Sequence, residues 1–124
     1  MFKVNEDKSI YLTRGDSIAF TVTASYQGEK YIFREDDVVR LRVFDKKGCD
    51  RIKLQKDFKP TAGSDGVYIT LTGEETKIGE PISKPKDYWY EVELNPDIQP
   101  QTIIGYDEDG AKVFRLYPEG GELE

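Results

Sequence analysis

The stretch DYWYEVEL at residues 87–94 decides the fold of this chain, because apolar and polar side chains alternate along it. One side of an extended strand would carry the apolar and aromatic residues Tyr88, Tyr90, Val92 and Leu94. The other side would carry Trp89, Glu91 and Glu93. Successive side chains of a strand point to opposite faces, so the pattern predicts a central strand with one buried face and one solvated face.

Similar alternation predicts further short strands on both sides of this one. They lie at residues 9–12, 17–24, 31–33, 38–44, 51–58, 67–71, 102–106 and 112–117. The inward faces are predicted to hold Ile18, Phe20, Val22, Ala24, Val39, Leu41, Val43, Ile52, Leu54, Val67, Ile69 and Leu71. Connections of helical length are missing between these stretches, which favours antiparallel pairing over a parallel α/β sheet.

Turn signals separate the strands. Turns are predicted at residues 14–16, 27–29 and 45–48, and a hairpin turn is predicted at residues 107–110 between the last two strands. Thr72 and Glu75 have capping-box spacing, which predicts about one helical turn over residues 73–78. The fold class is therefore an all-β antiparallel sandwich, immunoglobulin-like or jelly-roll-like, with about eight short strands and one short helical turn. A single domain spans residues 1–124, with a loose lead-in at 1–8 and an acidic tail at 119–124.

The amino-acid composition restricts the partners and the chemistry that can be expected of this protein. The chain has 124 residues and a net charge of −6, so it repels phosphate, and neither nucleic acid nor an anionic membrane is an expected partner. Histidine is absent, which removes the commonest general base and metal ligand. Cys49 is the only cysteine, and a lone thiol without an export signal indicates folding in the cytoplasm.

No short motif predicts catalysis, cofactor binding or a metal site. The acidic stretch at residues 107–110 has Pro118 at the twelfth position, where a calcium loop needs Glu. Glu35, Asp36 and Asp37 are interpreted as a solvated loop, and residues 14–16, Arg-Gly-Asp, as a turn. Two carboxylates flanking a cleft would permit glycoside hydrolysis, and a small carboxylate-dependent hydrolase stays a remote alternative.

Three residues form a candidate interface. Alternation places Trp89 on the outer strand face, and an exposed Trp is a common anchor for a partner. Arg40 and Arg42 lie on a similar outer face with Val38 and Phe44. We expect the two arginines to lie across from Glu91 and Glu93 on one shared sheet, because opposite charges on neighbouring strands help to fix strand order.

The order of several of these stretches along the chain is also informative. Residues 14–16 precede an alternating strand, a turn contains Gly28, residues 36–38 open the next strand, and residues 87–92, 102–104 and 114–116 follow. This order resembles the N-terminal domain of the baseplate upper protein of tailed phages and their prophage relatives. The resemblance covers residues 9–117. Glu35 stands where that family has a Gly, and Glu91 stands where it has an Asp.

The resemblance implies a virion structural protein of the tail or baseplate, synthesised in the bacterial host cytoplasm. Such a module has no catalytic residues or cofactors. It acts as a homo-oligomer and docks other tail or baseplate proteins. The alternative is a carbohydrate-binding module, which would need exposed aromatic side chains gathered on one face. The candidates for that platform are Tyr11, Tyr31, Tyr68, Trp89 and Tyr106.

Overall fold

The computed structural model describes residues 1–46, 50–108 and 110–120, and its regular elements are strands. In chain order they are β1 (Phe2–Val4), β2 (Ile10–Thr13), β3 (Ile18–Thr23), β4 (Ser25–Tyr26), β5 (Glu29–Lys30), β6 (Val39–Lys46), β7 (Asp50–Phe58), β8 (Gly66–Leu71), β9 (Lys86–Leu94), β10 (Gln101–Ile104) and β11 (Lys112–Tyr117). The predicted all-β fold class is confirmed.

Two sheets form the layers of the fold. The large sheet has the strand order β1-β2-β11-β9-β6-β7, with β10 also paired to β9. The second sheet consists of β3 and β8, and β4 and β5 form a separate hairpin. All pairs are antiparallel except β2 with β11, which run parallel.

The hydrophobic core lies between the large sheet and the β3–β8 sheet. Strand β9 buries Tyr88, Tyr90, Val92 and Leu94 on its inner face, as its alternation predicts. The β3–β8 sheet supplies Ile18, Val22, Val67, Ile69 and Leu71 to the same cluster. The central position of β9 is confirmed as well, since β6 pairs along one edge and β10 and β11 along the other.

Strands β10 and β11 do not form the predicted hairpin with each other. Both run antiparallel to β9 along the same edge, with Thr102 opposite Glu93 and Val113 opposite Trp89. The tight turn between them is present, because Asp107 and Gly110 exchange backbone hydrogen bonds and Gly110 has a φ of 93°. This turn separates two strands that run in the same direction along one side of β9, and it does not reverse the chain between two partners.

A β-bulge changes the face of Ile52. The pairing of β6 with β7 passes from Val43 opposite Leu54 to Phe44 opposite Ile52, so Lys53 is the extra residue. Ile52 therefore lies on the outer face and is 52% exposed, which makes its predicted inward position wrong. Phe44 lies on the predicted outer face, yet only 2% of it is exposed.

The chain start and the first hairpin also differ from prediction. Residues 1–8 are not a loose lead-in, since β1 pairs with β2 with Phe2 opposite Leu12. The predicted return strand at 31–33 is replaced by β5, which pairs with β4. The turn at Gln27 and Gly28 is confirmed, and both have positive φ, as a type I′ turn requires.

The predicted helical turn is a single hydrogen-bonded turn, and no helix forms there. The Thr72 N–H donates to the Glu75 carboxylate, the Glu75 N–H donates to the Thr72 hydroxyl, and the Thr76 N–H donates to the Thr72 carbonyl. The capping box thus exists without the helix that it usually begins. In the described ranges no helix reaches the length and hydropathy of a membrane crossing.

Some sequence predictions fall outside the described residues. These are the environment of Cys49, the part of the turn at 45–48 that follows residue 46, Asp109 of the turn at 107–110, and residues 121–124 of the acidic tail.

Candidate interaction surface

The predicted interface residues lie together on the outer face of the large sheet. The register of β6 with β9 places Arg40 opposite Glu93 and Arg42 opposite Glu91, which confirms the expected arrangement on one sheet. Arg42 forms ion pairs with Glu93 at 3.0 Å and with Glu91 at 3.6 Å. Charge pairing across β6 and β9 therefore links the two strands as the sequence predicts.

Arg40 takes different partners from those predicted. Its guanidinium contacts Asp57 of β7 at 2.7 Å and Asp97 of the loop after β9 at 2.9 Å. These hydrogen bonds raise the pKa of Arg40 above its ordinary value, and Arg40 lowers the pKa of Asp57. Only 11% of the Arg40 side chain is exposed, so most of this charged side chain is shielded from solvent.

Trp89 is half-buried on the same face. Its strand neighbours across the sheet are Phe44 of β6 and Val113 of β11, which form an apolar row with it. The indole Nε1 is buried and has no hydrogen-bond partner among the described residues. Trp89 is therefore partly covered, and an interface role for Trp89, Arg40 and Arg42 stays a prediction.

The aromatic residues considered for a glycan platform are spread over the molecule. Tyr11 and Trp89 share the outer face of the large sheet, but β11 separates their strands, and Arg115 stacks on Tyr11 at 4.7 Å. Tyr68 lies on the outer face of β8, Tyr106 lies in the loop after β10, and Tyr31 follows β5. No single face gathers them within the described ranges.

An open polar groove of about 780 Å³ lies at one end of the sandwich. Its wall includes Tyr31, Asp37 and Asn95, with Ile98 at its margin. Asp37 is buried and accepts hydrogen bonds from the Tyr31 hydroxyl at 2.7 Å, the Arg34 N–H at 2.8 Å and the Asn95 amide at 2.9 Å. This network ties the β4–β5 region to the loop after β9.

The charge state of Asp37 follows from that network. Burial acts to raise its pKa, but the hydrogen bonds from Asn95, Arg34 and Tyr31 outweigh burial and hold the pKa below its ordinary value. Burial and the bond to Asp37 in turn raise the pKa of Tyr31. Both carboxylate oxygens of Asp37 accept hydrogen bonds from the protein, so this side chain stabilises the groove wall.

The Arg-Gly-Asp turn is an internal docking element. Arg14 is buried, and its guanidinium donates to the carbonyls of Ile78 at 3.2 Å and Gly79 at 2.8 Å. Gly15 approaches Gly73 so closely that a Cβ on Gly73 would lie 2.5 Å from the Gly15 carbonyl oxygen. The turn at 14–16 thus holds the loop that follows β8, as the interpretation as a structural turn requires.

The two long sides of the sandwich have different edges. On one side Lys56 of β7 donates to the Thr70 carbonyl of β8 at 2.9 Å and pairs with Glu75 at 2.8 Å. This lysine occupies the outer edge of β8. The edge of β7 also carries the bulge at Lys53, and bulges and lysines are common protections of sheet edges.

We call the other side the β1–β3 seam, and its strand β3 lacks such protection. It consists of β1, the edge strand of the large sheet, and β3, the edge strand of the two-stranded sheet, which meet where the rings of Phe2 and Phe20 lie 6.1 Å apart. Phe2 and Val4 are 38% and 43% exposed. Within the described ranges no strand pairs with the second edge of β3.

The sequence prediction missed this seam for a specific reason. The polar residues between Asn5 and Lys8 suggest a loose segment, and they obscure the short apolar alternation of Phe2, Lys3 and Val4. That alternation was the available signal, because Phe2 and Val4 would share one strand face.

Comparisons with known proteins identify no relative. Neither the family models nor the curated proteins nor the solved structures give a match to this chain. In the described part of the chain, no three acidic or thiol side chains gather as a set of metal ligands.

Proposed function

We propose that this protein is a non-catalytic structural module of a phage or prophage tail or baseplate that acts by self-association and docking. The observation that carries the proposal is the β1–β3 seam, where exposed Phe2 and Val4 lie beside an edge of β3 that no other described strand pairs with. Edge strands of this kind are sites of association between protein chains.

The charged outer face supports the same function. Arg40, Arg42 and Arg115 are each paired with carboxylates of neighbouring strands or loops, with Arg115 contacting Asp87 at 2.5 Å. Because the charges of this face are already paired within the protein, packing it against other subunits of a crowded particle would cost little free energy. The favourable free energy of association would then come from the uncharged strand edges.

The resemblance of residues 9–117 to the baseplate upper protein domain supplies the biological setting of the proposal. The motif residues at 14–16 serve internal packing in this protein, as expected for a scaffold. On this proposal the protein is synthesised in the host cytoplasm and carried in the virion with other tail or baseplate proteins.

The direct test is the protein content of purified particles. Phage or prophage particles from the source strain are separated by density, and the protein is sought by quantitative mass spectrometry beside the capsid and tail proteins. We expect a fixed ratio to a tail protein across preparations. Its absence from particles that contain the complete tail would refute the proposal.

The polar groove favours carbohydrate binding as a second candidate function. Tyr31, Asp36, Gln99 and Gln101 offer an aromatic ring with carboxylate and amide groups along one open wall, which is a combination that can bind sugar hydroxyls. Titration with host cell-wall oligosaccharides, followed by chemical shifts of groove residues, tests it. Shifts confined to the groove and lost in Gln99→Ala, at an exposed groove residue, would support this function.

A further inference from the structure

We propose that the free edge of β3 pairs with β3 of a second copy of this chain. Two β3–β8 sheets would then join into one antiparallel four-stranded sheet across a twofold axis. The inference rests on the proposed function, because it names the partner and the contact for the self-association at the β1–β3 seam.

Strand β3 has the composition of an unprotected edge. Its sequence, IAFTVT, contains no charge, proline or glycine, and it pairs with β8 over all six residues without a bulge. Val, Ile, Phe and Thr also favour extended backbone. By contrast, β7 carries a bulge with Lys53, and Lys56 covers the outer edge of β8. Of these edges, β3 alone lacks the features that block strand addition.

Self-pairing keeps the apolar face continuous in one register. If the axis passes through Phe20, Ile18 lies opposite Val22 of the copy and Phe20 lies opposite its own copy. Ile18 and Val22 are buried on the core side, so directly opposed residues share that side in both subunits. A shift of one residue would place core residues opposite solvent residues, which the period of two disfavours.

The outer face of this register has no steric or electrostatic obstacle. Ala19 lies opposite Thr21 of the copy, and both are small and exposed. The nearest charged residue, Asp16, would fall opposite Ala24 of the copy, so no like charges meet across the axis. This matters because each copy has a net charge of −6, and contact through a charged edge would add local repulsion.

The second copy also explains the exposed residues of β1. Strand β1 lies beside β3 at the seam, so pairing of two β3 edges brings the Phe2 and Val4 side chains of both copies toward the same axis. Burial of these side chains adds a hydrophobic contribution to the backbone hydrogen bonds of the new strand pair.

Charge complementation tests the contact and its register together. One variant carries Ala19→Glu with Thr21→Glu, and a second carries Ala19→Lys with Thr21→Lys. In the proposed register each variant alone places like charges opposite each other, whereas a mixed pair places Glu opposite Lys. The dissociation constant of the homodimer should rise at least about tenfold for each variant, and an equimolar mixture should restore the dimer.

Light scattering and sedimentation provide the masses, and the unfolding midpoint of each variant shows that it remains folded. The control carries Ile52→Glu with Tyr106→Glu, which adds the same charge on exposed residues outside the β3–β8 sheet. We expect this control to dimerise like the wild type.

Two outcomes overturn the inference in different ways. A wild-type dimer that survives both β3 variants would refute β3 pairing and leave the proposed function intact. A wild-type protein that stays monomeric at millimolar concentration would refute both the pairing and the self-association in the proposed function. Dimerisation of the mixed variants alone, with both separate variants monomeric, supports the inference.

Discussion

The hydroxyl of Tyr31 donates a 2.7 Å hydrogen bond to the buried carboxylate of Asp37. The same carboxylate accepts the Arg34 N–H and the Asn95 amide, so one side chain joins the loop at residues 31–37 to Asn95, which is distant in the sequence. The wall of the polar groove depends on this carboxylate more than on any exposed acidic group around it.

Removal of the Asp37 carboxylate should destabilise the protein. Asp37→Ala leaves the Tyr31 hydroxyl, the Arg34 N–H and the Asn95 amide without their acceptor, and we expect a loss of about 2–3 kcal/mol in the free energy of unfolding. Urea denaturation measures this loss. The matched control, Asp36→Ala, alters an exposed neighbour and should change stability by no more than about 0.5 kcal/mol. Equal effects of both substitutions would contradict the network.

The same network predicts a pH dependence of stability. The pKa of Asp37 is lower in the folded protein than its ordinary value of 3.8, so folding favours the ionised carboxylate. Its contribution is fully present above the unfolded pKa and is lost as the pH falls through the lower folded pKa. Unfolding free energies measured between pH 7 and pH 2 should show a steeper acid loss in the wild type than in Asp37→Asn. Parallel pH profiles of the two proteins would contradict this assignment.

Arg14 should not tolerate replacement by lysine. The guanidinium reaches three carbonyls of the loop after β8 with two different nitrogens, whereas a lysine ammonium is a single donor centre with a different geometry. We expect Arg14→Lys to cost about 2 kcal/mol of stability, because a buried carbonyl loses its donor. Arg34→Lys, at an exposed side chain, is the control and should be nearly neutral. Thermal and urea unfolding of both variants provide the comparison.

For Phe44 and Ile52, the structure predicts stability effects in the opposite order from the one that simple alternation along β6 and β7 would predict. Phe44→Ala should destabilise by about 3–5 kcal/mol, since the ring is 2% exposed although it lies on the outer face. Ile52→Ala should cost less than about 1 kcal/mol, because that side chain is half exposed. If Ile52→Ala proved the more damaging change, the register of the bulge would be wrong.

Part of the candidate surface could be predicted from the sequence. The opposition of Arg40 and Arg42 to Glu93 and Glu91 follows from alternation on two strands and from charge pairing between them. The partners Asp57 and Asp97 of Arg40 could not be predicted, because they depend on a third strand and on the path of a loop. The β1–β3 seam was missed, since a three-residue strand carries too short a pattern for recognition.

The sequence by itself determined which side chains of β3, β8 and β9 face the core, because the period of two is a local property of extended backbone. It also determined the turn at Gln27 and Gly28, where local chemistry selects positive φ. Only the tertiary structure decided that β10 and β11 share one edge of β9, that the bulge turns Ile52 outward, and that β3 has an edge without a partner strand among the described residues. Those features depend on contacts between segments that are far apart in the chain. The free energy of such contacts depends on how all the strands pair in the folded protein, so no local stretch of sequence determines it.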